Sequence, residues 1–310
     1  MRASGVVAPL EEHGGDGQRV AAALGLDPSG VLDLSASMNP VAPDPVPVLA
    51  RHLDATRRYP DPRRATAALA EMLQVDGRRV LLTNGGSEAI ALVAAEVRTG
   101  WVDEPDFSLY RRHLESLDPS GPRFRSNPHN PTGVLAAPDD RAGVWDEAFY
   151  PLATGRWTRG DVDRGSVVVG SLTKVLACPG LRLGYVLAPD PDLVDRLARR
   201  QPSWSVNGLG AAALPALLTP VDLPAWARSI AELRRQLVDL LERHGLRPRP
   251  AAANFVLVAG ATGLRSRLAQ SGVVVRDCTS FGLPDHVRVA VPDADGLHRL
   301  DAALEETDDR

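Results

Sequence analysis

One lysine, Lys174, stands among the 35 lysine and arginine residues of this 310-residue chain. Either residue serves as a surface cation, and every other position uses arginine. The position that keeps lysine is therefore expected to need something a guanidinium cannot do. A guanidinium stays protonated at every accessible pH and is a poor nucleophile. A lysine amine can lose its proton in a suitable pocket and form an imine with an aldehyde. The local run is Ser171-Leu172-Thr173-Lys174, followed by Cys178-Pro179-Gly180-Leu181-Arg182-Leu183-Gly184-Tyr185.

Other runs carry groups that fit such chemistry. Thr83-Asn84-Gly85-Gly86-Ser87-Glu88-Ala89-Ile90 places two glycines and a serine where a strand turns into a helix. Free backbone N–H groups at a helix start can cradle a phosphate. Glycine turns before helices are common, so this run alone is ambiguous. Asn127-Pro128-His129-Asn130-Pro131-Thr132-Gly133 is a second polar turn, and Asp146-Glu147-Ala148-Phe149 follows it. Asp146 could equally cap a helix, Tyr110 could be core, and Arg288 could be a surface cation.

The elements that must position these groups are legible from apolar spacing. Helices are expected over 64–73 and 87–96, and strands over 79–82, 167–170 and 183–187. This alternation argues for an α/β sheet covered on both faces. The character changes near Gln201-Pro202. A long helix is expected over 223–244, with Trp226, Ile230, Leu233, Leu237 and Leu241 at helical spacing and Gly245 as its C-cap. Strands over 255–258, 273–275 and 287–291 then mix with helices over 264–270 and 297–305, which reads as a small α+β domain. The expected division is an N-terminal arm over 1–40 packing with the small domain, a large domain over 41–200 and the small domain over 201–310.

Composition bounds the rest. A hydrophobic content of 44% supports a full core, and a net charge of −4 argues against a nucleic-acid partner. The two cysteines, Cys178 and Cys278, do not make a disulfide scaffold, and no Cys/His spacing suggests a metal. No apolar run reaches membrane-spanning length, and a cytoplasmic location is expected.

Taken in order and spacing, these runs resemble the class I/II aminotransferase family of pyridoxal-phosphate enzymes. The resemblance extends over nearly the whole chain. It implies fold type I, the aspartate-aminotransferase-like architecture, with a mainly parallel sheet in the large domain. It also implies pyridoxal 5'-phosphate as cofactor. Lys174 would hold the cofactor as an internal aldimine and then shuttle a proton. Asp146 would keep the pyridine nitrogen protonated, making the ring an electron sink. Asn130 would hydrogen-bond the ring oxygen, and Tyr110, in Pro105-Asp106-Phe107-Ser108-Leu109-Tyr110, would stack on the ring. Gly85, Gly86, Ser87, Ser171, Thr173 and Arg182 would hold the phosphate. Arg288 would clamp the substrate carboxylate through a two-pronged ion pair.

Further runs resemble the branch containing histidinol-phosphate aminotransferase and threonine-phosphate decarboxylase. They are His13-Gly14-Gly15-Asp16, Asp33-Leu34-Ser35-Ala36-Ser37-Met38-Asn39-Pro40 and Arg58-Tyr59-Pro60-Asp61-Pro62. Asn39 is then a candidate substrate contact. Tyr59 would reach the cofactor phosphate of a neighbouring subunit, which implies a homodimer with shared sites. The run Val275-Arg276-Asp277-Cys278-Thr279-Ser280-Phe281-Gly282-Leu283 resembles the decarboxylases more closely, with Arg276 on the substrate phosphate. Phe149 leans the same way. The resemblance therefore implies decarboxylation of L-threonine O-3-phosphate to (R)-1-amino-2-propanol O-2-phosphate, a cobalamin precursor. Transamination of histidinol phosphate or a related compound, and cofactor binding without turnover, are the alternatives. The chain departs from the family between Tyr110 and Asn127, where residues 111–126 are short for the strand and helix usual there. The central sheet is expected to be trimmed, with 123–125 a remnant strand.

Overall fold

The computed structural model describes residues 14–308. Its strands are β1 (Leu32–Leu34), β2 (Val80–Asn84), β3 (Thr99–Val102), β4 (Ser116–Leu117), β5 (Arg123–Ser126) and β6 (Val144–Asp146). They continue with β7 (Val167–Ser171), β8 (Leu183–Leu187), β9 (Arg247–Pro248), β10 (Phe255–Ala259), β11 (Val273–Asp277) and β12 (His286–Ala290). A seven-stranded sheet runs in the order β2-β8-β7-β6-β5-β3-β4. Every neighbouring pair is parallel except those made by β8, which is antiparallel to β2 and β7. All five residues of β7 and of β8 are buried, as strands covered on both faces require. The second sheet, β1-β11-β12-β10-β9, is antiparallel except for β1 alongside β11, so the N-terminal segment joins the C-terminal sheet.

The sheet keeps seven strands, and the shortening falls on its edge and its connections. β4 has two residues beside the first half of β3, and β5 lies beside the second half on the opposite side. Only residues 118–122 join them. Such a crossover between parallel strands usually takes a dozen or more residues, about the length of a helix. Here the chain steps directly over β3 at a contact between two glycines. A Cβ on Gly121 would stand 2.8 Å from the Thr99 carbonyl oxygen, and one on Gly100 would stand 2.7 Å from that of Pro122.

A second short connection was not anticipated from the sequence. Residues 127–143, between β5 and β6, contain no helix. Arginines do the covering instead. The Arg159 guanidinium lies 4.9 Å from the buried Trp145 ring and donates to the carbonyls of Ala137, Pro138 and Asp140 at 2.9, 3.0 and 3.1 Å. It also pairs with buried Asp161 at 3.0 Å, while Arg125 pairs with Asp140 at 2.7 Å. Arg159→Ala removes one donor from each of three carbonyls that keep a second, from Asp140 N or Arg141, and leaves buried Asp161 paired with Arg164 alone. It is expected to lower unfolding free energy by about 1–2 kcal/mol, read from denaturant midpoints. Arg159→Lys should recover little of this, because an ammonium cannot span the same acceptors.

The expected break at Gln201-Pro202 is corrected by the packing. The helix Gly208–Leu218 and the first part of the helix Leu223–Arg243, through Leu223, Trp226 and Ile230, belong to the core of the large sheet. Leu237, Leu240 and Leu241 of the same long helix belong to the core of the second sheet. The two cores therefore meet inside this helix. The helix Gly208–Leu218 was missed because it is apolar on all sides and so has no amphipathic period. Among the described residues, no single helix is long and apolar enough to cross a membrane.

Candidate active site

Parallel strands deliver their carboxyl ends to one edge, and ligands bind outside that edge. β6 ends at Asp146 and β5 at Ser126. β7 ends at Ser171 and runs into the short helix Leu172–Val175, which carries Lys174. β2 ends at Asn84, and Gly85, Gly86 and Ser87 open the helix Gly85–Val97. This turn rests on β8, where a Cβ at Gly184 would lie 2.4 Å from the Gly85 carbonyl carbon. Gly85 itself has φ +78°, and a Cβ there would lie 2.5 Å from an Arg182 guanidinium nitrogen. A side chain at either glycine would therefore displace this turn or the arginine beside it.

A cavity of about 530 Å³ opens at this edge. Gly86, Ser87, Ser171, Thr173 and Arg182 line it together with Lys174, Asp146, Asn130, Arg276 and Arg288. Burial, with Arg288 and Arg182 nearby, lowers the Lys174 pKa to about 8, so a neutral amine is accessible near physiological pH. Burial raises Asp146 to about 6, against the hydrogen bonds it accepts from Ala148 N at 3.0 Å and Tyr110 Oη at 2.8 Å. A buried carboxyl held near neutrality favours a cationic partner. Beside it, Glu147 is raised by burial to about 7 and accepts from the Arg159 backbone N–H at 3.1 Å.

Arg276 and Arg288 face each other across β11 and β12 in register, and both are buried. Like charges directly opposite destabilise a sheet. Arg288 donates to Asn130 Oδ1 at 2.5 Å and to the Ser35 carbonyl at 3.3 Å, and its Nε has no partner. Burial lowers its pKa to about 10, which leaves it charged at neutral pH. No carboxylate of the described residues is paired with it. Arg276 donates to Ser280 Oγ at 2.8 Å beside Phe281. Two buried guanidiniums in one cavity make a receptor for a ligand with two anionic groups.

Two expected cavity contacts, those of Tyr110 and Asn39, are corrected. Tyr110 does not face the cavity, because its buried ring sits behind β6 and its hydroxyl is spent on Asp146. The aromatic of that run lining the cavity is Phe107, three residues earlier and just before the helix Leu109–His113. Asn39 is not a cavity residue either. Its amide donates to the Val175 carbonyl at 2.9 Å and accepts from Val41 N at 3.1 Å, and its backbone N–H donates to the Lys174 carbonyl at 3.1 Å. It pins the lysine's own loop, which is a positioning role. Tyr59 lies outside the cavity of its own chain, 77% exposed and stacked on Trp204 with centroids 4.5 Å apart. The sequence reading also missed Gly14, Ala36 and Phe281 at the cavity wall, although all three sit in runs it quoted. His13 lies outside the described residues. Among the described residues, no cluster of three or more His, Cys, Asp or Glu could hold a metal ion.

Comparison with known proteins agrees with this geometry. The family model for aminotransferase class I and II matches residues 124–304. Threonine-phosphate decarboxylase of Salmonella typhimurium is 32% identical, covering 94% of this chain and 95% of that protein. Their alignment runs over 347 positions, more than the 310 residues here, so the relative carries segments with no counterpart in this chain. Histidinol-phosphate aminotransferase of Halobacterium salinarum is 30% identical, covering 97% of each chain. The crystal structure of histidinol-phosphate aminotransferase from Sinorhizobium meliloti, in complex with pyridoxal-5'-phosphate, shares the fold with a TM-score of 0.81 at 19% identity, covering 93% of each chain. The chain belongs to the class I and II aminotransferase family and has the fold of its pyridoxal-phosphate enzymes.

Proposed function

We propose that this protein is a pyridoxal-phosphate lyase that removes the carboxyl group of L-threonine O-3-phosphate, leaving (R)-1-amino-2-propanol O-2-phosphate. The observation that carries the reading is the cross-strand pair Arg276 and Arg288 in one cavity with Lys174. A substrate with a carboxylate and a phosphate supplies one anion to each guanidinium. The 32% identity to a threonine-phosphate decarboxylase supports the same choice, as does Phe149 at the cavity wall, which offers no hydroxyl there.

The donor set fits pyridoxal 5'-phosphate. The first turn of the helix Gly85–Val97, with Ser171 and Arg182, suits its phosphate; the lone amine of Lys174 suits its aldehyde; the carboxyl of Asp146 suits its ring nitrogen. When bound, the cofactor supplies an electron sink for the pair left behind as a bond to the substrate α-carbon breaks. Lys174 Nζ then delivers a proton to that carbon. Arg288 holds the carboxylate, and Asn130, fixed to Arg288, keeps the two aligned. Departure of carbon dioxide removes the negative charge that Arg288 held, while the phosphate stays on Arg276. Tyr59, exposed and stacked on Trp204, would serve the cofactor phosphate of a second subunit, which would make the working unit a homodimer.

The second reading is transamination of histidinol phosphate or a similar phosphorylated amine, favoured by the 30% identity to histidinol-phosphate aminotransferases. The cofactor-loaded protein should be given L-threonine O-3-phosphate with and without 2-oxoglutarate. The expected result is carbon dioxide release that needs no keto acid. Strict dependence on the keto acid would move the assignment to transamination, and no turnover of any amino substrate would leave a cofactor-binding protein. Arg276→Ala should raise KM for the phosphorylated substrate by about 10²-fold, since a charge-assisted pair to phosphate is lost.

A further inference from the structure

We infer that Asp106 is a positioning residue for this site, holding Phe107 and Asn130 at the cavity wall through one buried hydrogen-bonded knot. The inference rests on the reading above, in which both residues flank the bound cofactor.

Asp106 is 3% exposed and lines no part of the cavity itself. Its Oδ1 accepts from Phe107 N at 2.7 Å and from Ser126 Oγ at 2.5 Å, and its Oδ2 accepts from Ser126 N at 3.0 Å. Ser126 Oγ in turn accepts from Asn130 N at 2.7 Å, and Asn130 Oδ1 accepts from Arg288 at 2.5 Å. One carboxylate thus reaches the substrate guanidinium through two intermediates. The groups bonded to it belong to Phe107 and Ser126, which together with Asn130 line the cavity. Ser126 also pairs in register with Asp146, so the knot sits beside the ring-nitrogen carboxyl.

Keeping a carboxylate here is costly. Burial raises Asp106 to about 6, and Arg125, whose charge favours its ionised form, is engaged with Asp140. A group needed only to tie a turn could be a neutral amide or hydroxyl at lower desolvation cost. An ionised carboxylate accepts three donors from two segments at once, which no neutral side chain of this size can do. It also leaves the Ser126 hydroxyl a single orientation, donating to Asp106 and accepting from Asn130.

The test uses the cofactor-loaded protein carrying Asp106→Asn, Ser126→Ala or both. Three quantities are read: the pH midpoint of the bound cofactor's visible absorbance, kcat against KM, and thermal unfolding. The expected result is a midpoint moved by about half a unit or more, because Asn130 and the charge near Asp146 both change. kcat should fall roughly 10–100-fold with KM little altered, the size of effect that small misplacements produce. The effects of the two changes should be less than additive in the double variant, since both disturb the Asp106–Ser126 link. A lower unfolding temperature with an unchanged midpoint and unchanged kcat would overturn the inference and leave Asp106 purely structural. If Asp106→Asn does not fold, Ser126→Ala decides, because it cuts the link from the other end. Wild-type protein that gave no cofactor absorbance at all would instead sink the cofactor reading beneath it.

Discussion

Replacing Lys174 with arginine is expected to reduce turnover by about 10⁴-fold or more while the chain still folds. The substitution keeps net charge and comparable length. It removes a primary amine whose pKa of about 8 allows an uncharged nucleophile at working pH. A guanidinium cannot shed its proton, and it would sit permanently charged near Arg288 and Arg182. A small loss of stability is therefore expected, with no loss of secondary structure by circular dichroism. No other lysine in the chain can take over. Turnover is measured by carbon dioxide release, and activity near wild type in this variant would remove Lys174 from the chemistry.

Asp146→Asn is expected to act in two opposite directions. Activity should fall about 10²–10³-fold, the usual scale for losing one preorganised electrostatic partner. Cofactor-free protein should become more stable at neutral pH. The folded pKa of about 6 lies above the ordinary 3.8, so the folded state binds the Asp146 proton more tightly than the unfolded state. Its contribution is fully present below about pH 4 and is lost as pH rises from there to about 6. Above that window the variant should gain on the order of 1–3 kcal/mol relative to wild type, and near pH 4 the difference should vanish. Asparagine can still accept from Ala148 N and its amide can donate to the Tyr110 oxygen, while the Tyr110 hydroxyl proton loses Asp146 as acceptor, which offsets part of the gain. Asp106 and Glu147 have the same sign, whereas His113 and His129, lowered chiefly by burial, work the other way. The comparison is therefore variant against wild type at each pH, by denaturant titration. A variant less stable than wild type at pH 7.5 would show that Asp146 contributes to the fold as well as to the site.

Much of this site was legible in sequence because its parts are local. The turn at 84–87 needs glycines within one strand-to-helix junction, and Lys174 is unique by composition. Arg276 closes a run of three valines, and Arg288 stands between two valines. What escaped depends on contacts between distant segments. Phe107 and Tyr110 are two aromatics in one run. Only the start of the helix Leu109–His113, which turns Tyr110 back onto β6, tells which ring meets the cavity. Asn39 carries the right chemistry for a ligand contact, but the loop after Lys174 uses up both ends of its amide. The missing helix between β5 and β6 left no local mark, since an arginine-pinned loop replaces it. The short residues 111–126 raised an expectation of a trimmed sheet. Two glycines that let the chain step across β3 kept the strand count intact.

The most direct test of the central claim is to incubate the protein with pyridoxal 5'-phosphate, reduce it with borohydride, and locate the covalent label by peptide mass spectrometry. A single phosphopyridoxyl group is expected on the peptide containing Lys174, and none in Lys174→Arg. A label only on the terminal amine, or no label at all, would contradict it.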